Sequence, residues 1–419
     1  MTAAVREGRI ARRLEALAAI SDEPGRLTRL YLSPAHGLAM RQVRAWMEEA
    51  GMTTRIDAVG NVMGRYEGSA PGAPCIMLGS HIDTVVDAGR FDGTLGVLAG
   101  IEVVDALRRA GELLPVAVEV IAFGDEEGVR FPTTLTGSRA VAGTLDPGVL
   151  DVRDGDGTSV RDALLAVGAD PEALAACARG WGEVAAYLEA HIEQGPVLEA
   201  EDLPVGVVTA INGAARLRVE VTGEAGHAGT VPMGLRRDAL AAAAEMVLAI
   251  ERLAHGTLDL VATVGRLEAL PGAVNVIPGG ARFTIDLRSP EDTVRTAALA
   301  QLGASLREIA ARRGVGVALE LFHETPAVAC DARLVGALAQ ACTASGSAPR
   351  LLPSGAGHDA MAMAALCPVG MLFVRCRGGI SHNPAEWAEP ADMDRAVAVL
   401  LHAVRALAAP PSQSADGRA

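Results

Sequence analysis

Three histidines (His81, His191, His382) and four acidic residues (Asp83, Asp92, Glu126, Glu127) stand in Gly-rich settings at or just beyond apolar runs of the chain. His81 and Asp83 lie in Leu78-Gly79-Ser80-His81-Ile82-Asp83-Thr84, and Asp92 lies in Gly89-Arg90-Phe91-Asp92-Gly93 just after it. Glu126 and Glu127 are adjacent, and neighbouring carboxylates at a strand's end are costly unless cations stand near. Imidazole nitrogen and carboxylate oxygen are both ligands of Zn²⁺. Two ions about 3.5–4 Å apart need a bridging ligand. A carboxylate such as Asp92 can bridge; a neutral imidazole cannot. Three His and two carboxylates therefore suffice for two ions, and one carboxylate is left to act as a base on the attacking water. Residue type alone does not order Glu126 and Glu127 between these roles. Asp83 could accept the other ring N–H of His81 and orient that ring.

The elements that must position these groups follow from periodicity. Cys75–Leu78, Val116–Phe123 and Val369–Val374 are apolar runs that predict buried strands, and Ala185–Leu188 leads into His191. Residues 4–20, 36–50, Thr94–Ala110 and Asp392–Ala408 have helical spacing of apolar positions. Thr53–Tyr66 alternates around Gly60-Asn61 and predicts a hairpin. The alternation predicts an α/β fold with a mostly parallel sheet, in which ligands sit beyond the carboxyl ends of the strands.

The pattern changes from Gly206. Val207–Val221 reads as a half-buried strand pair, Leu260–Leu270, Ala281–Arg288 and Val315–Phe322 as strands, and Leu235–Leu253 and Asp292–Arg313 as helices. This order suits a ferredoxin-like α+β domain inserted into the larger one. The expected division is 1–206 and 325–409 for the metal-binding domain, 207–324 for the insertion, and a disordered tail at 410–419.

Composition excludes other chemistries. The 419 residues contain no Lys, so there is no Schiff-base, P-loop or carboxylated Lys, and no Cys-Glu-Lys amidase site. A formal charge of −14 argues against nucleic acid and anionic membranes as partners. The six Cys form no close pair and read as reduced core residues. The first eighteen residues read as an amphipathic helix rather than a signal peptide, and no apolar run has spanning length. A cytoplasmic setting is expected.

The motifs GSHIDTV…GRFDGTLG, GDEEGVRFP, HIEQGPVLE, GEAGHAGTVPM, NVIPG, DLR and SGAGHDA…GISHNP carry a family resemblance over about Leu27 to Ala408. The chain resembles the dinuclear-zinc aminoacylase and carboxypeptidase-type metallohydrolases. Within them it is most similar to the hydantoinase/carbamoylase branch of allantoate amidohydrolases and N-carbamoyl-L-amino acid hydrolases. The resemblance implies two divalent ions, Zn foremost, with Mn, Co or Ni also accepted by such ligands. His81, Asp92 and His191 would hold one, and Asp92, Glu127 and His382 the other. Glu126 would be the general base and Asp83 the partner of His81. His227 of the inserted domain would donate to the oxyanion, in the partner subunit of a homodimer. Asn275 and Arg288 match positions that bind the substrate carboxylate, and Gln194, Asn212, Gly357 and His358 match substrate-lining positions. The implied reaction is hydrolysis of a ureido C–N bond, with release of ammonia and carbon dioxide. Val208–Gly213 and the GDEEGVRFPTTLTGSRA stretch look closest to the allantoate subgroup. An N-carbamoyl-L-amino acid is the runner-up substrate, and a dipeptidase or aminoacylase is the more distant alternative.

Overall fold

Helix α1 (Arg9–Ala18) sets its buried face, Ile10, Leu14 and Leu17, into the main core. The computed structural model describes residues 5–409, so the tail expected at 410–419 lies outside them. α2 (Pro34–Glu49) starts at Ser33, whose hydroxyl accepts from the His36 N–H, and has Pro34 in its first turn. The hairpin around Gly60 comprises β1 (Thr53–Ile56) and β2 (Val62–Tyr66). β3 (Cys75–His81) and β4 (Ala117–Phe123) flank α3 (Thr94–Ala110), and every residue of both strands is buried. Strands covered on both faces have no polar side to alternate with. β5 (Val184–Ile192) runs on through His191, and β6 (Val205–Ile211) follows.

The chain then forms a second compact unit, residues 210–329 with 353–356. Its elements are β7 (Gly213–Thr222), α4 (Ala239–His255), β8 (Val261–Leu270), β9 (Gly280–Ser289), α5 (Asp292–Arg313) and β10 (Gly316–Thr325). The sheet order is β10-β7-β9-β8, antiparallel throughout. Leu217, Val219 and Val221 of β7 alternate with Arg218 and Glu220, and their apolar face packs with that of α4 and α5. This is an inserted module of a four-stranded antiparallel sheet and two long helices, with a separate two-residue ladder between Gly226–His227 and Val276–Ile277.

α6 (Ala332–Ala344), β11 (Val369–Val374) and α7 (Pro390–Ala408) complete the first unit. The large sheet runs β1-β2-β4-β3-β5-β11-β6, with the short segments Val328–Ala329 and Leu351–Ser354 along β6. Its four central strands, β4, β3, β5 and β11, are parallel, whereas β1, β2 and β6 are antiparallel to their neighbours. The sheet is mixed, which corrects the expectation of a mostly parallel one. Hairpin-like returns build its edges, and an apolar run buried on both faces looks the same in either direction. The expected strand pair Val207–Val221 is also divided: β6 pairs with β11 in the large sheet, and only β7 enters the small one.

α1 is tied to α3 by buried ion pairs, Arg13 Nη1–Glu102 Oε1 at 2.9 Å and Arg9 Nη1–Asp105 Oδ2 at 2.8 Å. They anchor the helix whose N-terminus follows Asp92. Among the described residues no helix is long and apolar enough to cross a membrane.

Candidate metal centre

The parallel strands β4, β3, β5 and β11 lie side by side, and each leads at its carboxyl end towards one part of a single cluster. β3 ends at His81, β5 carries His191 next to its last residue, β4 passes into Gly124-Asp125-Glu126-Glu127, and β11 leads through a loop to His382. Asp92 stands just before α3, where the helix's N-terminal partial charge favours a carboxylate. Gly93, between them, has φ 64°, and a Cβ there would overlap the His81 ring. Only Gly meets both conditions.

Asp92 is the shared group. Its Oδ1 lies 3.3 Å from His81 Nε2 and 3.1 Å from His191 Nε2, and its Oδ2 lies 3.3 Å from His382 Nε2. Glu127 Oε2 is 3.5 Å from His382 Nε2, and Glu126 Oε2 is 3.9 Å from His81 Nε2. Three sets bring their ligand atoms within 4.8 Å of one another: His81-Asp92-His191, Asp92-Glu127-His382 and His81-Glu126-Glu127.

The donor set fits cations. His81 Nδ1 lies 3.0 Å from the Asp83 carbonyl and His191 Nδ1 2.9 Å from the Ile192 carbonyl. Those carbonyls can only accept, so both rings carry their proton on Nδ1. Each Nε2 then faces an Asp92 oxygen, and two such acceptors in a buried site need positive charge between them, supplied by a metal ion or by a second proton on the ring. Burial, with Glu127, Asp359 and Asp83 adding to it against His81, pushes Glu126 well above the usual carboxylate range. Burial, and then Asp92, push Glu127 up to about 7. Asp92 goes the other way: despite its burial, His191, His382 and His81 hold it well below that range.

Asp83 acts by a different route from the expected one. Its carboxylate is 3.8 Å from His81 Nδ1, and the ring meets its backbone carbonyl instead. The carboxylate accepts the N–H groups of Glu126 and Glu127, both at 3.3 Å, and so ties the two-Glu turn to the His81 loop. Gln194 also sits on the cluster: its Nε2 donates to Asp92 Oδ2 at 2.8 Å and to Ser381 Oγ at 3.0 Å. His358 is buried, with its ring edge-on to His191 at a centroid distance of 4.5 Å, and Gly357 precedes it.

The remaining residues belong to the second unit. His227 and Val276 are paired across a two-residue ladder, and Asn275 accepts from the Ala228 N–H at 3.0 Å. His227 is exposed, and its Nδ1 accepts from the Gly229 N–H at 3.0 Å, so a neutral ring carries its proton on Nε2 as a donor. Arg288 donates from Nε and Nη2 to Asp286 at 2.7 and 2.9 Å, and from Nη1 to the Gly355 carbonyl at 2.6 Å. Asn212 joins its N–H to the Ser354 carbonyl at 2.9 Å.

Sequence reasoning missed several supporting groups. Arg29 is fully buried and donates from Nε to the Ile82 carbonyl at 2.7 Å, between His81 and Asp83. Asp125, at φ 66°, accepts from Thr133 Oγ1 at 2.6 Å and from Thr136, and so sets the turn that presents the two Glu. Ser381 Oγ donates to Asp92 Oδ2 at 2.7 Å. Only Asp125 and Ser381 carried a local signal, because each adjoins a predicted ligand or base.

Stability should follow the metal. A ligand present at 100 times its Kd stabilises the folded state by about 2.7 kcal/mol. Chelation is therefore expected to lower Tm, and restoring a divalent ion to raise it again. An unchanged Tm in both directions would mean that the donors hold no ion.

Residues 77–406 match the family model described as Peptidase family M20/M25/M40. The chain is 43% identical over 401 residues to the N-carbamoyl-L-amino acid amidohydrolase of Geobacillus stearothermophilus, covering 96% of this chain and 98% of that one. It is 42% identical over 420 residues to the allantoate deiminase of Arabidopsis thaliana, covering 93% and 80%. The crystal structure of an amidase of the hydantoinase/carbamoylase family from Burkholderia multivorans superposes with a TM-score of 0.93 at 36% identity, covering 98% of this chain and 100% of that one. The chain belongs to peptidase family M20/M25/M40, in its hydantoinase/carbamoylase branch, and is a metal-dependent hydrolase of non-peptide C–N bonds.

Proposed function

We propose that the protein hydrolyses the ureido C–N bond of a small ureido acid, with allantoate as its substrate. The observation that carries the chemistry is the Asp92 carboxylate, with one oxygen facing His81 and His191 and the other facing His382, beside Glu126 and Glu127. His81, Asp92 and His191 would hold one divalent ion, and Asp92, Glu127 and His382 the other. When bound, the ions supply Lewis acidity and lower the pKa of the attacking water. Zn suits this set of His and carboxylate donors, and Mn, Co or Ni also fit it.

Glu126 takes a proton from the water that attacks the carbamoyl carbon and returns it to the departing nitrogen as the C–N bond breaks. His227 donates Nε2–H to the oxyanion. The carbamate left behind breaks down to ammonia and carbon dioxide. Arg288 and Asn275 anchor the substrate carboxylate, and Gln194, Asn212, Gly357 and His358 line the site. Asp286 takes three of the guanidinium's contacts together with Gly355, so Arg288 is already oriented before substrate arrives.

The ferredoxin-like unit serves as lid and dimerisation domain. Met233 and Leu235, in a short 3-10 helix after His227, and Val274, next to Asn275, are more than three-quarters exposed. Covering these exposed apolar side chains by a second subunit, with His227 acting across the dimer, would take apolar surface out of water.

The second reading is an N-carbamoyl-L-amino acid as substrate. It has support because the relatives named for the two activities are 42% and 43% identical to this chain. Comparing kcat/KM for allantoate with that for a series of N-carbamoyl-L-amino acids decides between them. Preference for allantoate supports the proposal, and preference for a carbamoyl amino acid replaces it. Arg288→Ala is expected to raise KM about tenfold or more and to change kcat less. An unchanged KM removes Arg288 from the carboxylate site.

A further inference from the structure

We infer that Glu386 is a positioning residue that fixes Asp92 against His382 and so sets the affinity of one metal position. The inference rests on the reading that both residues are metal ligands. They come from segments 290 residues apart, and among the described residues no strand pairing joins the Asp92 loop to the His382 loop. His382 itself is held at φ 54°, a backbone conformation that disfavours side chains with a Cβ, so its loop needs external support.

Glu386 supplies that support. It is 2% exposed, four residues beyond His382, and its Oε1 accepts the backbone N–H groups of Phe91 at 2.8 Å and Asp92 at 3.1 Å. Ser381, on the other side of His382, donates to Asp92 Oδ2. The segment 381–386 therefore grips Asp92 at its carboxylate and at its backbone, with His382 between the two grips. Gly89 completes the arrangement. A Cβ at that position would lie inside the Glu386 side chain, so the first Gly of G-R-F-D-G leaves room for the carboxylate. A group that only orients ligands still governs the metal, and loss of such partners costs about 10- to 100-fold in metal affinity.

The test is titration of the metal-stripped full-length protein with Zn²⁺, following heat and bound-metal content, with folding checked by circular dichroism. Wild type is expected to bind two ions. Glu386→Ala is expected to keep one site and to weaken the other about 10- to 100-fold. Glu386→Gln keeps an oxygen for both N–H groups and is expected to stay within about threefold of wild type. Gly89→Ala, which displaces Glu386 without removing it, is expected to reproduce the Ala variant. Two unweakened sites in folded Glu386→Ala overturn the inference. If that variant does not fold, Gly89→Ala decides: a weakened second site supports the inference, and two intact sites overturn it. Fewer than two ions on wild type would instead refute the dinuclear reading on which the inference rests.

Discussion

Glu126→Gln is expected to lower kcat by about 10³-fold while both ions remain bound. General acid–base catalysis contributes about 10²–10⁴-fold, and in the proposed reaction one carboxylate would serve in both directions of proton transfer. Gln keeps the shape and the amide oxygen but can neither take the water's proton nor pass it on. The geometry favours Glu126 over Glu127 for this task. Glu127 belongs to two of the three ligand sets, reaching His382 at 3.5 Å and lying with Asp92 in one of them. Glu126 belongs only to the set around His81 and lies farther from its ring nitrogen, at 3.9 Å. Both turn N–H groups are held by Asp83, so replacing one side chain should leave the other in place. The check is bound metal alongside kcat. Loss of one ion from Glu126→Gln would mean that the two Glu roles are reversed.

Asp92→Asn is expected to abolish turnover and to weaken both metal positions. Among the described residues no other side chain presents one oxygen to His81 and His191 and the other to His382. An amide offers one neutral oxygen where a bridge needs two anionic ones, and its NH₂ would point at imidazole nitrogens or at a cation. The expected loss is about 100-fold or more in affinity at each position, beyond the 10- to 100-fold typical of groups that only support a ligand. Metal content after dialysis checks it. Retention of two ions at wild-type affinity would show that Asp92 does not bridge.

Much of this centre was legible in the sequence because strands end where ligands begin. His81 closes a strand whose residues are all apolar or small up to Ser80, and α3 begins at Thr94, as expected from the spacing after Asp92-Gly93. The antiparallel β1–β2 edge was legible as a hairpin, but the direction of β6 was not, since burial on both faces erases the alternation that separates one setting from another. Val205–Ile211 illustrates the difficulty: its apolar pattern runs on into β7, yet it hydrogen-bonds to β11. The supporting shell was hidden for a different reason. Arg29 meets the Ile82 carbonyl across 53 positions, and Glu386 meets the Phe91 N–H across 295. Side chain-to-backbone contacts of that range leave no local periodicity to read. Asp83 shows the limit even at close range: residue type suggested a carboxylate partner for His81, but the chain presents the carbonyl and turns the carboxylate towards the Glu126–Glu127 turn.

The most direct measurement is ammonia release on returning divalent metal to metal-stripped protein. Allantoate, N-carbamoyl-L-amino acids, an N-acetyl amino acid and a dipeptide would be run side by side, the last two followed by release of free amino acid. The account predicts that turnover of a ureido acid appears with the metal, disappears with a chelator, and is absent in Glu126→Gln. Cleavage of the N-acetyl amino acid or the dipeptide, with no ammonia from any ureido acid while two ions are bound, would contradict it.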